Sequence, residues 1–364
     1  MEQALTSRRF LGAVGVVVLV TGVVGVWIGL QIGGARVTLW VDDLVTPLVA
    51  SIACVSCLGA RARHDGRMRL FWSLLACATA SWTLAEAVWG YYALILNVEV
   101  PVPSWADVGY LSAIPLAVAA LVVHPATRGS GTRKVRSLFD GLVVATSLLF
   151  LSWTLVLGPL ARSADLSTST GVVTLAYPFG DVVIVFFIVR AIRGMTGSNR
   201  LSLCCLLAAL LAMALTDSAF SYLTEVAKYT GGDVIDTGWV AAYLGIALAA
   251  FSSRSSDTTV SPAEHSRPSL ASLIAPLLPV LLALTVSAVE IRLGHHLDRA
   301  AWLMTVGLIA VVLVRQGLMV LELLAPGRGV QAGLMHRLTH AALGGKRPEE
   351  IPSPGHRTGG YEPL

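Results

Sequence analysis

The sequence predicts an all-α membrane protein: a polytopic bundle of about ten transmembrane helices, with a four-helix unit used twice in the same sense. Three observations predict it. The 364 residues are 55% hydrophobic and only 13% charged, about half the charged share of an ordinary soluble domain. Apolar stretches close to the roughly 20 residues that a span requires fill most of the chain. Segments of the first half also recur in the second at a nearly constant offset. Apolar and polar residues do not alternate along these stretches, which argues against a transmembrane β-barrel.

The spans are placed in order at 10–32, 44–60, 70–96, 107–124, 137–160, 172–192, 201–224, 238–253, 270–291 and 300–323. The first follows "TSRRFLGAVGVVV". Its apolar run of about 23 residues is longer than that of a cleaved signal peptide, so it reads as an uncleaved anchor. Arg8 and Arg9 fit a cytoplasmic flank better than a twin-arginine export signal. The second and eighth spans are the shortest. Residues 325–364 carry Pro326, Pro348, Pro352 and Pro354 with many glycines, and read as a short, largely disordered cytoplasmic tail behind a membrane domain of 1–324. Within the tail, Val330, Leu334 and Leu338 share one helical face, a pattern suited to the membrane surface or a partner.

Lys and Arg favour cytoplasmic loops. With the N-terminus inside, twenty of the 26 Lys and Arg fall in inner segments and five in outer loops, leaving Arg315 within the last span. This places both termini in the cytoplasm of a bacterial cell, with the lipid bilayer as the main partner. The net charge of +4 is explained by orientation, and no basic–aromatic platform for nucleic acid is present.

The repeat pairs "RLFWSLLACATASWTLAEAVWGY" (69–91) with "RLSLCCLLAALLAMALTDSAFSY" (200–222). At an offset of 131, Glu86 meets Asp217 and Pro47 meets Pro178; at 133, Tyr110 meets Tyr243. The units are about 10–124 and 137–253, with 270–323 as a partial third. An even number of spans per unit makes the copies parallel, related by an axis along the membrane normal.

Charges inside spans are costly and face a protein interior or a water-filled cavity. The topology puts Glu86, Asp181 and Asp217 roughly 10–15 Å below the outer surface, at 1.5 Å per helical residue. Asp107 and Asp236 fall at the mouth, and Asp140 near the inner side. Trp82, Glu86 and Trp89 share a helix face, as do Tyr177 and Asp181. Pro178 lacks an N–H and so frees the carbonyl of Thr174. The expected ligand-binding set is therefore Glu86, Asp107, Asp181, Asp217, Trp82, Trp89, Tyr110 and Tyr177, around a pocket open to the outside.

Other motifs carry less. "YTGGDVIDTGW" (229–239) is close to the Gly-Gly-Asp signature of cyclic di-GMP synthases, yet it falls in an outer loop of about a dozen residues and reads as a tight polar turn. Cys54-x-x-Cys57 lies inside an apolar helix and reads as packing. His295-His296-x-Asp298 reads as a solvated turn. No Walker A, H-E-x-x-H or G-x-S-x-G pattern occurs, so the expectation is no cofactor, no metal and no enzyme.

"VPVPSWADVGYLSAIPL", "RSLFDGLVVATSLLFLSW", "LAYPFGDVVIV" and "ALTDSAFSY" resemble the multi-pass membrane region of actinobacterial cyclic di-GMP signalling proteins, over about residues 10–323. The resemblance rests on a Pro-Ser-x-x-Asp loop at Pro103, Ser104 and Asp107 and a Tyr-Pro-x-x-Asp element at Tyr177, Pro178 and Asp181. In those proteins PAS, GGDEF and EAL domains follow the membrane region; here about forty residues follow Leu323, without the catalytic domains. The resemblance implies a sensory role. The expected function is a non-catalytic membrane sensor that binds a small ligand or cation from outside and signals through its tail or a cytoplasmic partner. The alternative is a small transporter or channel that uses the intramembrane carboxylates.

Overall fold

The structure is a computed structural model. It describes residues 2–128, 132–159, 168–194, 200–225, 229–253, 277–292 and 298–324. Among these there is no strand. The long helices are α1 (Glu2–Gly29), α2 (Ala35–Ala62), α3 (Gly66–Gly90), α4 (Trp105–Val123), α5 (Thr132–Ser152), α6 (Ser169–Gly194), α7 (Arg200–Glu225), α8 (Thr237–Ser252), α9 (Leu278–Arg292) and α10 (Arg299–Leu324). Among the described residues nine helical segments are long and apolar enough to cross a membrane; in α9 the apolar stretch Leu278–Val289 is shorter. Residues 270–276, where the ninth span was expected to begin, lie outside the described residues.

The helices fall on the expected stretches with one instructive difference. The second span was expected at 44–60, but α2 runs from Ala35 to Ala62. Asp42 and Asp43 set the expected boundary, because a charge beside an apolar run reads as an end. Both are buried inside the helix, facing protein rather than lipid.

Residues 1–315 form one compact unit. At its centre six helices close a ring, α2–α3–α4–α6–α7–α8 and back to α2. α1 leans on α8, α5 on α6, and α9 on α5. Small side chains allow the close approach, as expected where hydrophobic burial alone does not drive helices together. Ala50, Ala53, Cys57 and Ala60 of α2, and Ala113, Ala117 and Ala120 of α4, are almost wholly buried. A Cβ on Gly109 would lie 2.8 Å from Ala85, so α4 touches α3 where glycine permits it. Hydroxyls inside the spans return their proton to the carbonyl one turn back, as in Thr46 to Asp42 (3.0 Å) and Thr79 to Leu75 (2.9 Å), which satisfies them without water.

The two ends of the ring differ. Phe71, Trp72, Leu75, Leu121, Ile188, Leu206 and Ile246 fill the end where α3 and α7 begin and α4, α6 and α8 finish. The α2–α3 connection seals the same end. Arg63 donates to the carbonyl of Ala250 and Arg67 to that of Val123, each at 2.8 Å, capping the last turns of α8 and α4. Outside the ring, Leu303, Leu215, Leu84 and Val55 are each about two-thirds or more exposed. An apolar surface on this scale is a lipid-facing surface.

Candidate functional site

At the opposite end of the ring the sequence changes character and the packing opens. α3 and α7 finish here, α4, α6 and α8 begin, and the first half of α2 runs alongside. A cavity of about 130 Å³ lies between them. All eight residues expected from the sequence line it: Trp82, Glu86 and Trp89 from α3, Asp107 and Tyr110 from α4, Tyr177 and Asp181 from α6, and Asp217 from α7. The lining also takes in Asp42, Asp43 and Thr46 of α2, together with Phe220, Tyr229, Trp239 and Tyr243. No Lys, Arg or His is among its described lining residues.

Most of the acids are held by donors. Glu86 accepts from the Tyr243 hydroxyl at 2.8 Å and stands within reach of Tyr110. Asp107 is the N3 member of a capping box. It accepts from the backbone N–H of Ser104 at 2.6 Å and from the Ser104 hydroxyl at 3.1 Å. Tyr177, from α6, donates to its other oxygen. Asp217 accepts from the Trp239 indole at 2.6 Å.

Two pairs of acids meet each other. The Asp181 carboxyl adjoins that of Asp217, and the Asp42 carboxyl that of Asp236. Two carboxylates side by side repel, and a proton shared between them relieves the repulsion. Asp236 is itself a capping acid. It accepts from the N–H of Asp233 at 2.9 Å and from the Tyr229 hydroxyl at 3.1 Å. Burial, then the neighbouring Asp236, pushes the Tyr229 hydroxyl above its ordinary range, so it stays a donor.

Asp43 is the exception. It is 8% exposed, and its Oδ2 has no hydrogen-bond partner among the described residues. An oxygen of Asp42 and one of Asp181 also lack a donor, but Asp42 adjoins the Asp236 carboxyl and Asp181 that of Asp217, whereas Asp43 feels only the field of Asp42. Gly90 makes room for Asp43: a Cβ there would stand 3.3 Å from the Asp43 carbonyl oxygen.

The "GGDVID" segment is a turn. Gly232 has φ +77°, a left-handed conformation that glycine adopts without strain. Asp233 then caps the short helix Val234–Asp236 through the N–H of Ile235 at 3.2 Å.

Matching environments recur across the two halves of the ring. Asp107 and Asp236 are both capping acids that accept from a tyrosine. Two residues on, Gly109 presses on Ala85 and Gly238 on Thr216. One further on, Tyr110 faces Glu86 while Trp239 bonds Asp217. The environments thus pair Tyr110 with Trp239, an offset of 129, where the sequence match pairs it with Tyr243. Tyr243 instead lies one turn deeper and donates to Glu86.

Asp140 lies elsewhere, as expected. Its Oδ1 accepts from the Arg315 guanidinium of α10 at 2.8 Å, both side chains being almost fully buried. Asp298 caps α10 at the N–H of Ala301 (2.8 Å) and accepts from the Trp153 indole (3.1 Å). His295, His296 and 330–338 fall outside the described residues. Among the described residues no group of three or more His, Cys, Asp and Glu is arranged to hold a metal ion.

No family model, curated protein or solved structure matches this chain.

Proposed function

We propose that the protein is a non-catalytic membrane sensor whose acidic–aromatic cavity faces the outside of a bacterial cell. It takes a small ligand or cation and signals through the cytoplasmic tail or a partner, in the manner of the membrane region of cyclic di-GMP signalling proteins that the sequence resembles. The observation that carries this reading is one-sidedness. Acids from five helices converge at one end of the ring, while the other end is packed with large apolar side chains and capped by arginines. A conduit needs polar groups along its whole length. A receptor needs a pocket at one end and a rigid body to carry its occupancy to the other.

The alternative is a small transporter, and the adjoining acids Asp181–Asp217 and Asp42–Asp236, each pair suited to sharing a proton, favour it. Accessibility separates the two. Cys54, Cys57, Cys77, Cys204 and Cys205 are replaced by alanine, and Thr224, in the cavity wall, by cysteine. A membrane-impermeant thiol reagent is expected to modify this cysteine in intact cells and to leave it unmodified in inside-out vesicles. Modification from both sides would mean alternating access and the transporter.

A further inference from the structure

The donor inventory of the cavity leaves one carboxylate unemployed. Glu86, Asp107 and Asp217 are held by Tyr, Ser and Trp donors, and Asp42 and Asp181 each adjoin another acid. Asp43 lines the same cavity with an oxygen that nothing satisfies. A carboxylate buried without a counter-charge is costly, so a cation brought to this position would be held there.

The surroundings of Asp43 say what kind of charge. Asp43 packs against Gly90, the neighbour of Trp89. Its field reaches the Tyr229 hydroxyl. Trp89, Tyr229 and Trp239 meet around Phe220, with ring centroids 6.0, 4.7 and 5.6 Å from it in edge-to-face contacts. Four rings and a carboxylate that line one cavity form an environment that attracts an alkylated cation, because ring faces are electronegative and apolar at once. A hard metal ion needs several oxygen ligands at short range. Among the described residues no three acids are grouped so as to supply them. The size agrees: about 130 Å³ is well above the ~10–15 Å³ needed for a single water.

We infer that this corner of the cavity, Asp43 with the rings of Trp89, Phe220, Tyr229 and Trp239, is a recognition site for a small organic ammonium ion. The inference rests on the sensor reading for the pocket's exposure to the outside, but not for its chemistry. The free amine and the head group of an ethanolamine or choline lipid share that chemistry.

The test uses the full chain in nanodiscs of phosphatidylglycerol, titrated with choline and with ethanolamine. The readouts are heat and the emission of the wall tryptophans. The neutral control is 3,3-dimethylbutan-1-ol, which has the shape of choline without its charge; potassium and calcium are the inorganic controls. At least one of the two amines is expected to bind saturably, at least tenfold more tightly than the alcohol, with neither metal ion competing at equal concentration. Asp43→Asn is expected to weaken that binding at least tenfold while its thermal midpoint stays at or above that of the wild type, since no partner is lost. Weaker amine binding in discs containing phosphatidylethanolamine would assign the occupant to a lipid head group, within the same chemistry. The proposal is overturned if neither amine binds, if the alcohol binds equally well, if potassium or calcium binds in place of the amines, or if Asp43→Asn leaves affinity unchanged. Should that variant fail to fold, the choline–alcohol comparison on the wild-type chain decides alone. Failure here leaves the accessibility of Thr224→Cys unaffected, so the two readings fail separately.

Discussion

His124 and Asp43 are both buried polar groups, yet they do opposite things. Asp43 has an oxygen that no donor reaches and suits an organic cation. His124 is a packing residue at the sealed end. Its ring stands edge-on to Phe71 at 4.8 Å, and its Nδ1 accepts from the N–H of Ala126 at 3.2 Å. Burial, then the nearby Arg67, pushes its pKa down to about 4 from the ordinary 6.5. The sign follows from linkage. Above pH 6.5 the ring is neutral in folded and unfolded chains alike, and the residue adds no pH dependence. Between 6.5 and 4 the unfolded chain takes a proton that the native ring refuses, so stability falls as pH drops and levels off below about 4. The full difference is on the order of 3 kcal/mol, at 1.36 kcal/mol per pKa unit. In detergent, the thermal midpoint of the wild type is expected to fall more steeply from pH 7 to 5 than that of His124→Asn, whose side-chain oxygen can still accept from Ala126. Parallel curves would mean that His124 does not titrate this way.

The helices carry the same logic at the next scale, where contact depends on what is missing from a side chain. Gly109 sits where a Cβ would meet Ala85 Cβ at 2.8 Å, the Ser81 carbonyl at 3.1 Å and the Ala85 Cα at 3.2 Å. Two of these are backbone atoms and cannot rotate away. Gly109→Val is therefore expected to push α4 off α3 at a cost of about 1–3 kcal/mol, the usual range for overpacking. Gly22→Ala in α1, where nothing lies within 4 Å, serves as the neutral control. A Gly109→Val midpoint equal to that of the control would show that the two helices are not held at this distance. This scale also shows what could be read beforehand. The apolar runs mark the helices, because lipid demands long uninterrupted apolar stretches. Glu86, Asp107, Asp181 and Asp217 were legible because an acid inside such a run has few other reasons to be there. Asp42 and Asp43 were missed because a charge near the edge of a run looks like its end. The evidence against that end was present: Thr38, Asp42, Thr46, Val49, Ala53, Cys57 and Ala60 recur every three or four residues as one buried stripe. Its small and polar members continue straight through the supposed boundary. Phe220, Tyr229 and Trp239 could not have been placed in one cavity with Asp43 from sequence, because the contact between α2 and α8 joins positions nearly two hundred residues apart.

At the scale of the whole unit, the ring has one packed end and one polar end, and orientation decides which compartment the polar end meets. Charge makes that decision. The packed end is where Arg61, Arg63, Arg67 and Arg69 connect α2 to α3. Basic residues resist transfer across a bilayer, so short basic loops stay cytoplasmic. The connection from α3 to α4, residues 97–104, holds no Lys or Arg and one acid, Glu99, and it lies at the cavity end. Alkaline phosphatase, which is active only after export, is expected to be active when fused after Asn97 and silent when fused after Ser130 or Leu364. The membrane part of each fusion is set by the spans before the junction, so the three results are independent readings of a single orientation. The opposite pattern would turn the cavity toward the cytoplasm. Asp43 would keep its aromatic neighbours and its unmet charge, but its cation would come from inside the cell, and an external sensor would no longer be tenable.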